Sequence, residues 1–386
     1  MAQKTGALIG HKLLLAAEYP KEGGTRTYFK GLLDFYHKHG AYVCAVASSS
    51  DLDPEMSDYA QNYGFDLIPF KSFARQFGLD KSHTTPTVWS LNKYRQEITA
   101  FKLLMSQRGL NNVTISVGTS GLFLSAAAAT QNPIMIAHGY PHGRRQSMLG
   151  PSFMSKMVPS DLLLISTSKY SNELFRKAWN SKRRGFSVRN IYNTCGPLQQ
   201  TSPFISRGNS VFTVSMVESH KRPFDWIDIA KRTQETAHIT DLEFTWVGDG
   251  LQRLEAVGAT EGPGMQYVNF PGRLNSVAPL YENGKVYLQT SSVENLSLST
   301  LDALRYGVPA VVTAAGALPE IVSDGINGFV VPIGDVSAAA AAVSELLLDG
   351  DLWQRQSTAA KERYRDRFSA EGWEHALLEA HLRVTN

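Results

Sequence analysis

Apolar residues in this chain gather into runs of about five to seven, set between longer segments in which they recur at helical spacing. The runs LLLAA (13–17), YVCAVAS (42–48), NVTISVG (112–118), IMIAHG (134–139) and LLLIST (162–167) predict strands in the first half. VFTVSMV (211–217), LEFTWVG (242–248), QYVNFPG (266–272), VYLQT (286–290) and PAVVTA (309–314) predict strands in the second. TRTYFKGLLDFYHKHG (25–40) and FDWIDIAKRTQETA (224–237) predict helices between them. In the first, Tyr28, Leu32, Leu33, Phe35 and Tyr36 form one apolar face, and Gly40 is placed as a C-cap. Alanine tracts at 126–129 and 338–342 read as helix interiors. Continuously apolar strands alternating with helices mean parallel sheets covered on both faces.

The rhythm breaks at CGPLQQTSPFISRGNS (195–210), which is rich in Pro, Ser, Gly and Gln, and resumes with a strand at Val211. The expectation is an α/β chain of two Rossmann-like domains, 1–200 and 201–386. A ligand would lie at the carboxyl ends of the strands, in the crevice between them.

The 386 residues are enough for two such domains, and 43% apolar with 19% charged residues allow a large core. No apolar stretch approaches the roughly 20 residues of a membrane span. LLLAA, bracketed by Lys12 and Glu18, reads as a buried strand rather than a leader. Cys44 and Cys195 supply neither a disulfide framework nor metal-type spacing, so a cytoplasmic setting is expected.

The net charge of +3 hides an asymmetry. Residues 1–200 hold 23 Lys and Arg against 12 Asp and Glu, whereas the remainder holds 15 against 23. The basic half, with Arg144–Arg145 and SKRRG (181–185), suits an anionic partner such as a phosphate-bearing acceptor or the inner membrane surface. Scattered solvated lysines and arginines would explain the same count.

Candidate chemistry concentrates in SVENLSLSTLDALRYGVPAVV (292–312). Glu294 follows a strand, Leu298, Leu301 and Leu304 mark a helix, and Gly307 and Pro309 stop it. The amides of Asn295, Leu296 and Ser297 are then expected at the helix start, unpaired and partially positive, a site for a diphosphate. A carboxylate beside that site suits sugar hydroxyls. Asp302 could accept from a ribose, or could pair along the helix with Arg305 or Tyr306.

The stretch 289–334 resembles the C-terminal signature of family-4 glycosyltransferases with the GT-B fold. Ser291 or Ser292, Glu294, Gly307, Pro309, Gly316, Glu320, Asn327 and Gly328 match its serine, E-x7-E, G-x-P-V, G-G-x-x-E and N-G elements. The resemblance runs over roughly residues 13–380, with 51–110 the exception. It implies two Rossmann-like domains facing each other across a cleft, the first for the acceptor and the second for the nucleotide sugar. The last helix, 369–386, would return to the first domain. Gly23 and Gly24 match a Gly-Gly pair facing phosphate, and His138 matches a histidine near the transferred sugar; Asn193 matches an N-G turn in which Thr194 replaces the glycine. Lys221, helped by Arg222, would neutralise the leaving diphosphate, and Arg273 lies in the loop that holds the base.

Three positions depart from the pattern. Met216 stands where relatives carry a diphosphate-binding arginine, Ala317 replaces a glycine, and Asp302 replaces the second glutamate. Asp302 is shorter by one C–C bond, roughly 1.5 Å. The implied reaction is transfer from a nucleoside-diphosphate sugar, UDP ahead of GDP, with retained configuration and no metal or other cofactor. Glu294 would position the donor rather than attack it. A nucleotide-sugar epimerase of the same fold and a non-catalytic nucleotide-sugar-binding scaffold are the alternatives. The first would alter the donor's sugar without an acceptor. The second would bind donor and transfer nothing.

Overall fold

The computed structural model describes residues 6–17, 24–47, 54–79, 91–110, 114–117, 121–130, 132–139, 159–179 and 185–385. The chain packs into two units: Met1–Ile191 together with Glu374–Asn386, and Tyr192–Trp373.

In unit 1 the described strands are β1 (Lys12–Ala17), β2 (Tyr42–Ala47), β3 (Asp66–Pro69), β4 (Thr114–Val117), β5 (Ile134–Ala137), β6 (Leu163–Ser166) and β7 (Ser187–Asn190). They form one parallel sheet in the order β3-β2-β1-β4-β5-β6-β7. In unit 2, β8 (Ser210–Val214), β9 (Glu243–Val247), β10 (Val268–Gly272), β11 (Val286–Gln289), β12 (Ala310–Thr313) and β13 (Gly328–Val331) run parallel in the order β10-β9-β8-β11-β12-β13.

The period-2 alternation of strand side chains sorts the unit 2 core onto two faces. Val211, Val286, Leu288 and Val311 point to one face, with Trp226, Trp246, Val343 and Trp353. Phe212, Tyr287, Ala310 and Val312 point to the other, with Leu301, Leu304 and Tyr364. Apolar residues at every strand position therefore follow from helices on both sides. In unit 1, Leu14, Ala16, Cys44 and Val46 share a core with Phe73, Phe101 and Leu104.

All ten expected strands are present. Three more, β3, β7 and β13, were not expected, and each lies at the edge of its sheet. β7, SVRN, carries the polar sequence an edge strand tolerates and announces no strand, whereas β13, GFVV, is a short apolar run with Gly328 at its start. The helix expected at 25–40 spans Gly24–Lys38, and Gly40 follows it at φ 79°. The helix expected at 224–237 spans Pro223–Ala237. No helix among the described residues is long and apolar enough to cross a membrane.

Candidate functional site

In unit 2 the chain leaves β8 outward to β9 and β10, then returns to pair β11 against β8. The strand order reverses between these two neighbours, so their exit loops diverge to opposite faces and leave a gap at the carboxyl edge. Lys221 comes from the β8 exit and Glu294 from the β11 exit.

The two loops are stitched together. Ser292 N donates to His220 O at 2.8 Å, and Thr290 Oγ1 donates to Lys221 O at 2.8 Å. The Lys221 ammonium donates to Glu294 Oε2, and both side chains are only 13% exposed. Gln289 Nε2, at 2.9 Å, and Ser291 Oγ, at 3.3 Å, donate to the same oxygen. Three donors therefore hold Oε2 and fix the carboxylate. Gln289 is a positioning residue that the sequence reading passed over. Its signal was an amide at the end of the otherwise apolar strand VYLQ.

The helix after Glu294 spans Leu298–Arg305, capped by Ser297, whose Oγ accepts from Thr300 N at 3.2 Å. It starts later than expected because Ser297, a strong N-cap residue, takes the extended cap conformation. Of the three expected amides, only that of Ser297 belongs to the first turn; Asn295 and Leu296 precede it. The N–H groups of Ser297, Leu298 and Ser299 have no carbonyl four residues back within the helix, and they carry its positive pole. At the other end Gly307 takes φ 67°, as its stop position requires.

Arg222 takes φ 55° and donates to Asp225 Oδ2 at 2.7 Å, so its charge is matched locally beside Lys221. Arg273 follows β10 and approaches Asp249 at 3.4 Å, while Arg253 approaches the same carboxylate at 3.5 Å. Met216 is 58% exposed just after β8. Its loop is pressed against residues 248–250: Val217 N donates to Asp249 O, and a Cβ on Gly248 would lie 2.0 Å from Ser215 O. Asp302 lies 2.8 Å from Arg305 Nη2, the helix pairing weighed above. Burial pushes its carboxyl up to about 6 against the lowering pull of Arg305.

In unit 1, His138 follows β5 with its ring 4.1 Å from that of Tyr28, on the helix that Gly24 begins. Burial lowers its imidazole to about 4, so it is neutral at physiological pH. Gly23, His142, Arg144, Arg145 and residues 181–184 lie outside the described residues. Carboxylate pairs of the Asp-x-Asp kind, one way to hold Mg²⁺, occur at 51–53 and 349–351. The first is outside the described residues. In the second, Asp349 Oδ1 is occupied capping a helix, accepting from Leu352 N at 2.8 Å.

Residues 208–349 match the family model of the group 1 glycosyl transferases. N-acetyl-alpha-D-glucosaminyl L-malate synthase of Bacillus anthracis is 26% identical over 145 residues, which are 37% of this chain and 38% of that protein. The chain spans about two fifths or less of the length of the curated relatives it matches first. Sucrose-phosphate synthase of Thermosynechococcus elongatus superposes with TM-score 0.73 at 16% identity, covering 97% of this chain and 99% of that one. Anabaena HepE, solved with UDP and glucose, gives TM-score 0.72 at 16% identity over 97% and 100%.

Proposed function

We propose that this chain, which carries a group 1 glycosyl transferase domain at 208–349 and has the GT-B fold of two Rossmann-like parallel-sheet units, moves a sugar from a nucleoside-diphosphate sugar to an acceptor. The donor nucleotide is UDP ahead of GDP. The acceptor is a glycan, a lipid-linked sugar or a small molecule, and the excess of basic residues in 1–200 favours an anionic one. Transfer retains configuration and uses no metal, in a cytoplasmic enzyme that touches the inner membrane surface at most peripherally.

One observation carries this reading: Lys221 and Glu294 meet where the exits of β8 and β11 part, ahead of the first turn of helix Leu298–Arg305. Breaking the bond between sugar and diphosphate builds negative charge on phosphate. A preorganised ammonium and helix-start amides stabilise that charge without reorganising at the moment of reaction. Glu294, held through Oε2, presents Oε1 to sugar hydroxyls. Arg222 adds to the field around Lys221, and Arg273 stacks on the base. The leaving phosphate oxygen takes the acceptor's proton, so no enzyme nucleophile is needed.

The test is a transfer assay with UDP- and GDP-sugars on the wild type, Glu294→Ala and Lys221→Ala. Each variant should turn over about 10² to 10³ times more slowly, the usual scale for losing one preorganised group, with unchanged circular dichroism. Glu294→Ala transferring sugar at the wild-type rate would put the site elsewhere. Met216, Asp302 and Ala317 favour a second reading, a scaffold that binds the nucleotide sugar without transferring it. Donor binding with no transfer to any acceptor tried would support that one.

A further inference from the structure

Asp302 departs from the family pattern in its length, and its surroundings in this chain are specific. Its Oδ1 lies 2.8 Å from Arg305 Nη2. Arg305 Nη1 donates to the Cys195 carbonyl, and the Arg305 carbonyl accepts from Gln199 N at 3.1 Å. The Cys195 thiol also reaches Leu298 O, at 3.3 Å. Helix Leu298–Arg305 is thus tied at both ends to residues 195–199, which follow the boundary between the units at Ile191 and Tyr192.

Helix Gly350–Phe368 adds to the hold. The Tyr364 hydroxyl accepts from Cys195 N at 3.0 Å and donates to Gly196 O at 2.7 Å. Tyr192 OH donates to Glu320 Oε2 at 2.8 Å. So a second motif carboxylate, Glu320, also serves this segment.

A largely buried carboxylate matched by a guanidinium cannot turn to a ribose without stranding that partner. A glutamate here would carry its charge roughly 1.5 Å farther from the helix. The shorter side chain and an arginine three residues on together make a local pair that faces residues 195–199.

We propose that Asp302 is a positioning residue: through Arg305 and Cys195 it anchors residues 195–199 to unit 2, and it does not bind the donor's ribose. The anchoring stands on contacts alone; only the statement about ribose rests on the glycosyltransferase reading.

The experiment measures amide hydrogen exchange over residues 192–201 and calorimetric affinity for UDP and GDP in the wild type, Asp302→Asn, Asp302→Glu and Arg305→Gln. Asp302→Asn should speed exchange in this segment by about tenfold or more and leave the nucleotide dissociation constant within about threefold. Arg305→Gln should reproduce the faster exchange, which keeps the test open if Asp302→Asn does not fold. Asp302→Glu, retaining the charge, should recover part of the protection. A tenfold or larger loss of nucleotide affinity in Asp302→Asn overturns the proposal, and so does unchanged exchange in both Asp302→Asn and Arg305→Gln. If the wild type binds neither nucleotide, the glycosyltransferase reading fails, and the exchange measurements still decide the anchor.

Discussion

Glu294 stood out in the sequence as a candidate carboxylate, because it lies at a strand exit ahead of a helix start and within a motif. Its partners could not. Lys221 lies 73 positions away, and only the pairing of β11 with β8 brings the two side chains together. Asp302 shows the converse: its resemblance pointed to ribose, while a near neighbour on its own helix claimed it. Buried titratable groups add a prediction at this scale. Burial holds His138 and His381 at about 4, and His11 beside His381 acts in the same direction. Unfolded, both histidines gain a proton as pH falls through the ordinary 6.5; folded, they resist it until about 4. The unfolded chain therefore binds more protons across that window, and unit 1 loses stability as pH drops from 6.5 to 4 while staying unaffected above it. Asp302 runs the other way in unit 2, because its folded pKa of about 6 exceeds the ordinary 3.8 and protonation there relieves a buried charge. Urea unfolding followed at pH 7, 6 and 5 should show the unit 1 midpoint falling first. His381→Gln should flatten the slope, and a wild-type midpoint independent of pH would rule the account out.

Among elements, central strands and helix stops were legible, because each rests on a local signal: an apolar run, or a glycine where φ must be positive. Gly307 shows how local signal and packing combine. Its φ of 67° strains any other residue, and an added Cβ would lie 2.6 Å from Thr201 Oγ1 and 3.0 Å from Ser357 Oγ. Gly307→Ala should cost about 2 kcal/mol or more of unit 2 stability, read from denaturant midpoints, as left-handed strain and overpacking add. A loss under half of that would mean the surrounding loop yields. The start of helix Leu298–Arg305 was misplaced for a reason of the same kind. Two polar residues, Asn295 and Ser297, stand between Glu294 and Leu298, and the choice between them as cap depends on Ser297 being fixed by Gln289 and Ser299. The edge strands β3 and β7 stayed hidden because DLIP and SVRN are short and mix polar residues or proline into their runs.

For the whole molecule, two separately packed units mean that unfolding need not be a single transition. A nucleotide that binds unit 2 should raise only the later or earlier step belonging to that unit. At a concentration about a hundred times its dissociation constant the gain is roughly 2.7 kcal/mol. Calorimetric scans with UDP, GDP, ADP and no ligand would show it. Equal shifts with all three nucleotides, or none, would remove the case for a uridine or guanosine donor. The sequence by itself determined the class of architecture and the uneven charge, and it singled out Glu294 as a candidate, since all of these are written in periodicity, composition or adjacent residues. The tertiary structure decided which side chains meet. It joined Lys221 to Glu294 across two strand exits and set Arg305 against the Cys195 carbonyl. Such contacts depend on the order of strands in a sheet and on burial, and neither is encoded in any single stretch of chain.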